Sequence, residues 1–183
     1  SKMGVLSMNL REINAPVSLI VLILFLEHAI FNSVWMLSRC SIEMFFNITP
    51  LVLTVLAVFH AILSLAMAAL AHKGEEKPKQ PYKTYTSLNI KTTIQRWSGI
   101  AILLLLGVHI AGAANYFHPK LLHAFIHPVF FAVVLLHVAV SSSKAFITLG
   151  IGNTKFVKIF DRLMYVICGL IFIAGFVGLY LCL

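Results

Sequence analysis

Residues 94–110 read IQRWSGIAILLLLGVHI. After the polar start at Gln95 and Arg96, the remaining positions are apolar or small, with the single exception of His109. The run continues to about residue 116. A membrane-spanning helix needs roughly 20 such residues. An imidazole in the middle of one is costly and marks a site. This stretch therefore predicts a transmembrane helix that carries chemistry.

The same pattern recurs on both sides. Apolar runs occupy about residues 13–37, 44–71, 95–116, 121–149 and 160–183. Between the second and third lies a polar stretch, residues 72–94, containing KGEEKPKQPYK, which reads as a surface loop. The break FHPK at residues 117–120 reverses the chain, and Gly150, Gly152 and Asn153 end the fourth run. Pro16 is expected in the first turn of the first span, where proline is tolerated, and Pro128 is expected to kink the early part of the fourth.

Composition agrees. Of 183 residues, 60% are hydrophobic and 11% charged, against about half and about a quarter in soluble domains. The expectation is one all-α integral membrane domain of five helices, without a globular appendage and without a cleavable signal peptide.

The net charge of +8 is distributed unevenly. Lys2, Arg11, Lys73, Lys77, Lys79, Lys83, Lys91, Arg96, Lys144, Lys155, Lys158 and Arg162 fall on one side of the five spans, and Arg39 and Lys120 on the other. The positive-inside rule puts the N-terminus in the cytoplasm. The basic face can also dock a partner or anionic lipid, and no nucleic acid is expected. Cys40, Cys168 and Cys182 are too few and too scattered for a disulfide framework, and no Cys-x-x-Cys-His attaches a c-type haem.

Eight histidines are many for so apolar a chain. His72 and His118 read as interfacial. So do His123 and His127, one turn apart, with quinone or metal binding as their alternative. His28, His60, His109 and His137 each fall well inside a different span. One buried imidazole reads as a hydrogen-bonded core residue. Four on four helices point instead to iron ligation, since two imidazoles from neighbouring helices can hold a haem axially. The spans have almost no carboxylates and no thiolate cluster to complete a zinc or non-haem iron site.

FHAILS (residues 59–64) resembles the FHAxxG of the five-helix cytochrome b subunits of succinate dehydrogenase and fumarate reductase. IQRWSGIAILLLLGVHI resembles their QRxSG motif followed by a histidine-bearing helix. LHVAVSSSKAFITLGI (residues 136–151) resembles their FHxxxGxxSxxxTxG segment. The order of elements and the proline-tyrosine loop after the second span are also similar. The resemblance implies two b haems, one held by His28 and His109 farther from the cytoplasm, the other by His60 and His137. Ser141 and Lys144 share the His137 face. Lys144 is read either as a haem propionate partner or as a snorkelling interfacial lysine. Arg96 is read as a propionate or subunit contact, or as a topological charge. Gly107 and Gly112 flank His109, where small residues admit either a porphyrin or a neighbouring helix.

The chain departs from the family in places. Ser64 and Ser141 stand where glycines are usual, and both remain small. Leu135 stands where some members carry a proton-transferring glutamate, which puts that proton path in doubt. Glu27 lies beside His28 inside the first span and reads either as a protonated, hydrogen-bonded acid or as a group that exchanges a proton with a quinol or stabilises a ferric haem; Glu43, in the following loop, is a candidate for quinol deprotonation or a solvated loop acid. The quinone is expected near the outer haem, around Asn32, Trp35 and Glu43 with the start of the fourth span, and menaquinone is favoured by the resemblance.

The chain carries no dinucleotide fingerprint and no cysteine cluster. The resemblance therefore assigns dicarboxylate chemistry to a flavoprotein and an iron–sulfur subunit on the cytoplasmic face of a bacterial inner membrane. The whole complex is allowed to dimerise. Three alternatives stand beside this reading: a cytochrome b of a hydrogenase or formate dehydrogenase, a non-redox membrane protein whose histidines bind metal or relay protons, and a haem-free anchor.

Overall fold

The computed structural model describes residues 2–38, 49–74, 86–113, 125–151 and 153–182. All of the secondary structure in them is helical. The five main helices are α1 (Lys2–Ser38), α2 (Thr49–Gly74), α3 (Thr86–Ala113), α4 (His127–Thr148) and α5 (Thr154–Cys182). Each contains an apolar stretch long enough to cross a membrane. Even α4, at 22 residues, extends about 33 Å at 1.5 Å per residue, slightly more than a hydrocarbon core of about 30 Å. Cys40, Glu43, His118 and His123, with Arg39, Lys120 and residues 75–85 of the polar loop, lie outside the described residues.

Several helices begin earlier than their apolar runs. α1 starts at Lys2, so Pro16 lies inside it and not in its first turn. α3 takes in the polar residues from Thr86, and α5 starts at Thr154. Apolar character marks the stretch long enough to cross a membrane, whereas a helix continues for as long as its backbone bonds close. α4 differs in the other direction: Pro128 occupies its first turn, directly after the π-helical residues 125 and 126, and residues 121–124 lie outside the described residues.

The α4–α5 connection is tight. Gly150 adopts φ 68°, and Ile151 N donates to Phe146 O at 2.9 Å while Gly150 N donates to Ile147 O at 3.2 Å. This closes α4 through a left-handed glycine. Asn153, read from sequence as part of the terminator, caps α5: its Oδ1 accepts from Phe156 N at 2.9 Å.

The dry core joins three helices. Leu22 and Ala29 of α1, Leu135 and Ala139 of α4, and Met164, Cys168 and Ile171 of α5 are buried together, with Phe25, Phe131 and Phe172 packed against them. Small residues permit close approach near the end of α5. A Cβ on Gly175 would stand 2.5 Å from the Phe131 ring, and one on Gly178 would stand 2.8 Å from Met36 Cβ. In lipid, such close packing supplies much of the association energy between helices.

α2 packs on α1 and α3 on α4, while α2 and α3 barely touch. Among their described residues only Leu63 and Ser98 are buried. α1 to α4 thus form a square with α1–α4 closed, α2–α3 nearly open, and the diagonals α1/α3 and α2/α4 not packed along their lengths. α5 lies outside the square against α1 and α4.

Candidate functional site

The polar side chains inside the square fall into two tiers. The end at which α1, α3 and α5 begin is termed the lower end.

The lower tier centres on His60 of α2 and His137 of α4, which are diagonal to one another. They lie close enough for a charge on one to be felt by the other. Each ring is held by a neighbouring helix. His60 Nδ1 lies 2.9 Å from Asn14 Oδ1 on α1, and Asn14 Nδ2 lies 3.4 Å from Ser64 Oγ on α2. His137 Nδ1 lies 3.0 Å from Ser98 Oγ on α3. Ser98 has one hydroxyl proton, and Ile94 O, 2.7 Å away, accepts it. Towards His137 the hydroxyl is therefore an acceptor, and His137 Nδ1 carries the proton. The Asn14 carbonyl oxygen fixes the same tautomer at His60. In both rings the lone pair is left on Nε2.

Gly99 brings the α3 backbone up to His137, where an added Cβ would stand 3.4 Å from Cε1. Ser141 Oγ donates to the His137 carbonyl at 2.5 Å. One turn below Ser141, Lys144 Nζ donates to Gln95 Oε1 and, at 3.2 Å, to Thr92 Oγ1. Arg96 and Lys91 both repel it. Lys91 itself pairs with Asp161. The lower end beneath His137 is therefore rich in cationic charge.

The upper tier lies about 16 Å away, from the 11 residues between Ser98 and His109 on α3 at 1.5 Å per residue. Eleven residues are close to three turns, so His109 lies on nearly the same stripe of α3 as Ser98. Its ring stacks on Phe130 at 4.9 Å between centroids and sits 5.1 Å from His127. His127, read from sequence as interfacial, is thus half-buried against a span histidine.

On α1, Asn32 Nδ2 donates to the His28 carbonyl at 2.7 Å and lies 3.2 Å from His28 Nδ1. The Asn32 amide is therefore engaged with the histidine one turn before it. Thr49 Oγ1 donates to the exposed Glu27 at 3.5 Å, and Trp35 is also exposed. The structure joins Glu27 to α2, and it brings His109 to α4.

The tiers alternate. In the lower one α2 and α4 supply the imidazoles, and α1 and α3 supply the oxygens that hold them. Towards the upper end α1 carries His28 and α3 carries His109, whose ring packs on Phe130 and His127 of α4. Among the described residues no three His, Cys, Asp or Glu side chains gather in one group. Haem needs no such group, because the porphyrin provides four of the six iron ligands and the protein two. A diagonal pair of Nδ1-protonated imidazoles, with the other ring nitrogen available, meets that requirement at His60 and His137.

Asn14 and Ser98 were not singled out from sequence. Ser98 lies within the QRWSG stretch, and Asn14 is a polar residue opening an apolar run, which was the available signal. Compared with known protein families, curated proteins and solved structures, the chain finds no match.

Proposed function

We propose that this chain is a di-haem cytochrome b membrane anchor of a succinate:quinone oxidoreductase or quinol:fumarate reductase. It carries electrons between an iron–sulfur subunit and a membrane quinone, with menaquinone favoured by the sequence resemblance. The observation that carries the reading is the lower tier: imidazoles on diagonal helices, each hydrogen-bonded through Nδ1 to a partner on an adjacent helix. This is the arrangement of a metal-ligating histidine held by a second partner.

His60 and His137 are the ligands of one haem, and His28 and His109 those of the other. When bound, haem supplies a one-electron iron couple. The chain's own residues orient the ligands, exclude water by burial between helices, and set the local charge. Lys144, flanked by Arg96 and Lys91, offers a cation to the propionates of the lower group. Glu27 and Trp35 border the upper tier, where the quinone is assigned and where Glu27 accepts a quinol proton; Glu43 is a further proton candidate from the sequence alone.

The lower end carries the excess of Lys and Arg, which supports its assignment to the cytoplasmic side of a bacterial inner membrane. A flavoprotein and an iron–sulfur subunit dock on it, and the full complex can dimerise.

Purification in mild detergent tests the reading. The expected preparation shows reduced b-type bands, two haems per chain, and both partner subunits. Co-purification with a hydrogenase or formate dehydrogenase subunit would keep the haems and change the partner. A colourless chain that takes up no haem when supplied in excess rules the proposal out.

A further inference from the structure

We infer that Asn14 and Ser98 are positioning residues that set the donor strength of the two lower-tier imidazoles, and thereby lower the reduction potential of the iron they hold. The inference rests on haem ligation by His60 and His137.

The geometry is specific. Each oxygen comes from a helix other than the one bearing its histidine, at 2.9 Å for Asn14 and 3.0 Å for Ser98. Neither oxygen is a passive neighbour. Asn14 is itself anchored through Nδ2 to Ser64. Ser98 is buried, at 6% exposure, and its proton is committed to its own helix at Ile94 O. Both oxygens are thereby turned, lone pair first, towards an Nδ1–H.

An imidazole that donates through Nδ1 gains electron density at Nε2 and becomes a stronger σ-donor. Such partners orient a ligating histidine and raise its basicity. A stronger donor favours ferric over ferrous iron, so the potential falls. Both acceptors are neutral and neither titrates in the accessible range. The bias is therefore built in and constant. The two tiers also differ. His28 lies beside Asn32, an amide whose Nδ2 donates to the His28 backbone, and the His109 ring packs against His127 and Phe130. In the lower tier each ring faces an oxygen of a neighbouring helix.

The test compares Asn14→Leu and Ser98→Ala with Asn14→Asp and Ser98→Thr in the purified holo-complex. Haem content, spectroelectrochemical midpoint potentials and the low-spin ferric EPR signal are read for each. Loss of one acceptor is expected to shift the ferric-to-ferrous equilibrium of a single haem about tenfold towards ferrous, a rise of about 59 mV for a one-electron couple. The variants that retain an oxygen should show no rise.

A rise in either deletion variant, absent from its oxygen-retaining counterpart, supports the inference. Unchanged potentials in both deletion variants overturn it, as does an equal rise in Asp and Thr variants. Loss of the lower haem from both deletion variants also overturns it, since the partners would then hold the ligands in place without tuning them. These outcomes leave the cytochrome reading intact. A wild-type chain without haem would remove that reading first, and is seen before any potential is measured.

Discussion

Lys91 Nζ lies 2.9 Å from Asp161 Oδ2, joining α3 to α5 at the lower end of the bundle. The ammonium also stands 5.9 Å from the centre of the Tyr165 ring. α5 otherwise packs on α1 and α4, so this pair links the outlying helix to the far side of the square. The side chains are unequally exposed, 33% for Lys91 and 18% for Asp161. The acid is the more sequestered partner, and its Oδ1 is buried without a hydrogen bond among the described residues.

That asymmetry gives the first prediction. Exposed ion pairs contribute about 0–1 kcal/mol, and removal of one partner from a more buried pair costs more, because an uncompensated charge remains. Lys91→Met should therefore lower the thermal midpoint in detergent more than the Lys91→Met, Asp161→Leu double variant does. A complete double-mutant cycle should give a coupling of about 1 kcal/mol. Strict additivity would show that the contact contributes nothing.

A second prediction concerns the close approach of α5 to its neighbours. Gly175→Ala drives a methyl into Phe131, and Gly178→Ala drives one into Met36, with Leu37 N 3.3 Å away. Overpacking of this kind costs about 1–3 kcal/mol. Gly169→Ala is the control, since nothing lies within 4 Å of its added Cβ. It should be neutral or stabilising by up to about 1 kcal/mol through helix propensity. Thermal melts of the three variants check this, and equal effects at all three positions would contradict the packing.

The number of helices, their order and the four span histidines were legible in the sequence, because hydropathy acts over a whole span and one imidazole stands out within it. Helix starts were not, since helices such as α3 and α5 continue into polar residues that carry no apolar signal. The partners of the histidines were hidden for a different reason. Asn14 and His60 are 46 residues apart, and Ser98 and His137 are 39 apart. No spacing rule along one helix connects them; only the packing of α1 on α2 and α3 on α4 does. His127 escaped similarly, because its position at a helix start suggests an interface while its ring turns to His109.

The two-tier arrangement predicts losses in pairs. His60→Ala and His137→Ala should each remove the same haem, so the double variant should retain as much as either single. His28→Ala and His109→Ala should remove the other. A cross-tier double variant such as His60→Ala with His109→Ala should be free of haem. His127→Ala should retain both haems, because the ring is a neighbour of His109 and not an assigned ligand. Pyridine haemochrome content with low-temperature spectra distinguishes the two species. If His60→Ala and His137→Ala removed different haems, the diagonal pairing would be wrong even though the protein remained a cytochrome.

The final prediction fixes the orientation of the tiers in the membrane. Every Lys and Arg among the described residues falls on the half of its helix nearer the lower end: Lys2 and Arg11 on α1, Lys73 on α2, Lys91 and Arg96 on α3, Lys144 on α4, and Lys155, Lys158 and Arg162 on α5. By the positive-inside bias this end is predicted to face the cytoplasm. Asn153, exposed in the α4–α5 turn, and Ser38, exposed at the upper end of α1, report on the two sides. In a background with Cys40, Cys168 and Cys182 replaced by serine or alanine, Ser38→Cys should react with a membrane-impermeant maleimide in spheroplasts, whose outer membrane leaflet is exposed. Asn153→Cys should react only after lysis. The chemical consequence is direct: His60 and His137 would lie nearer the cytoplasmic electron source, and Glu27 nearer the opposite surface, where a quinol would release its protons. The reverse labelling pattern would exchange those roles, and a cytoplasmic iron–sulfur partner would then face His28 and His109.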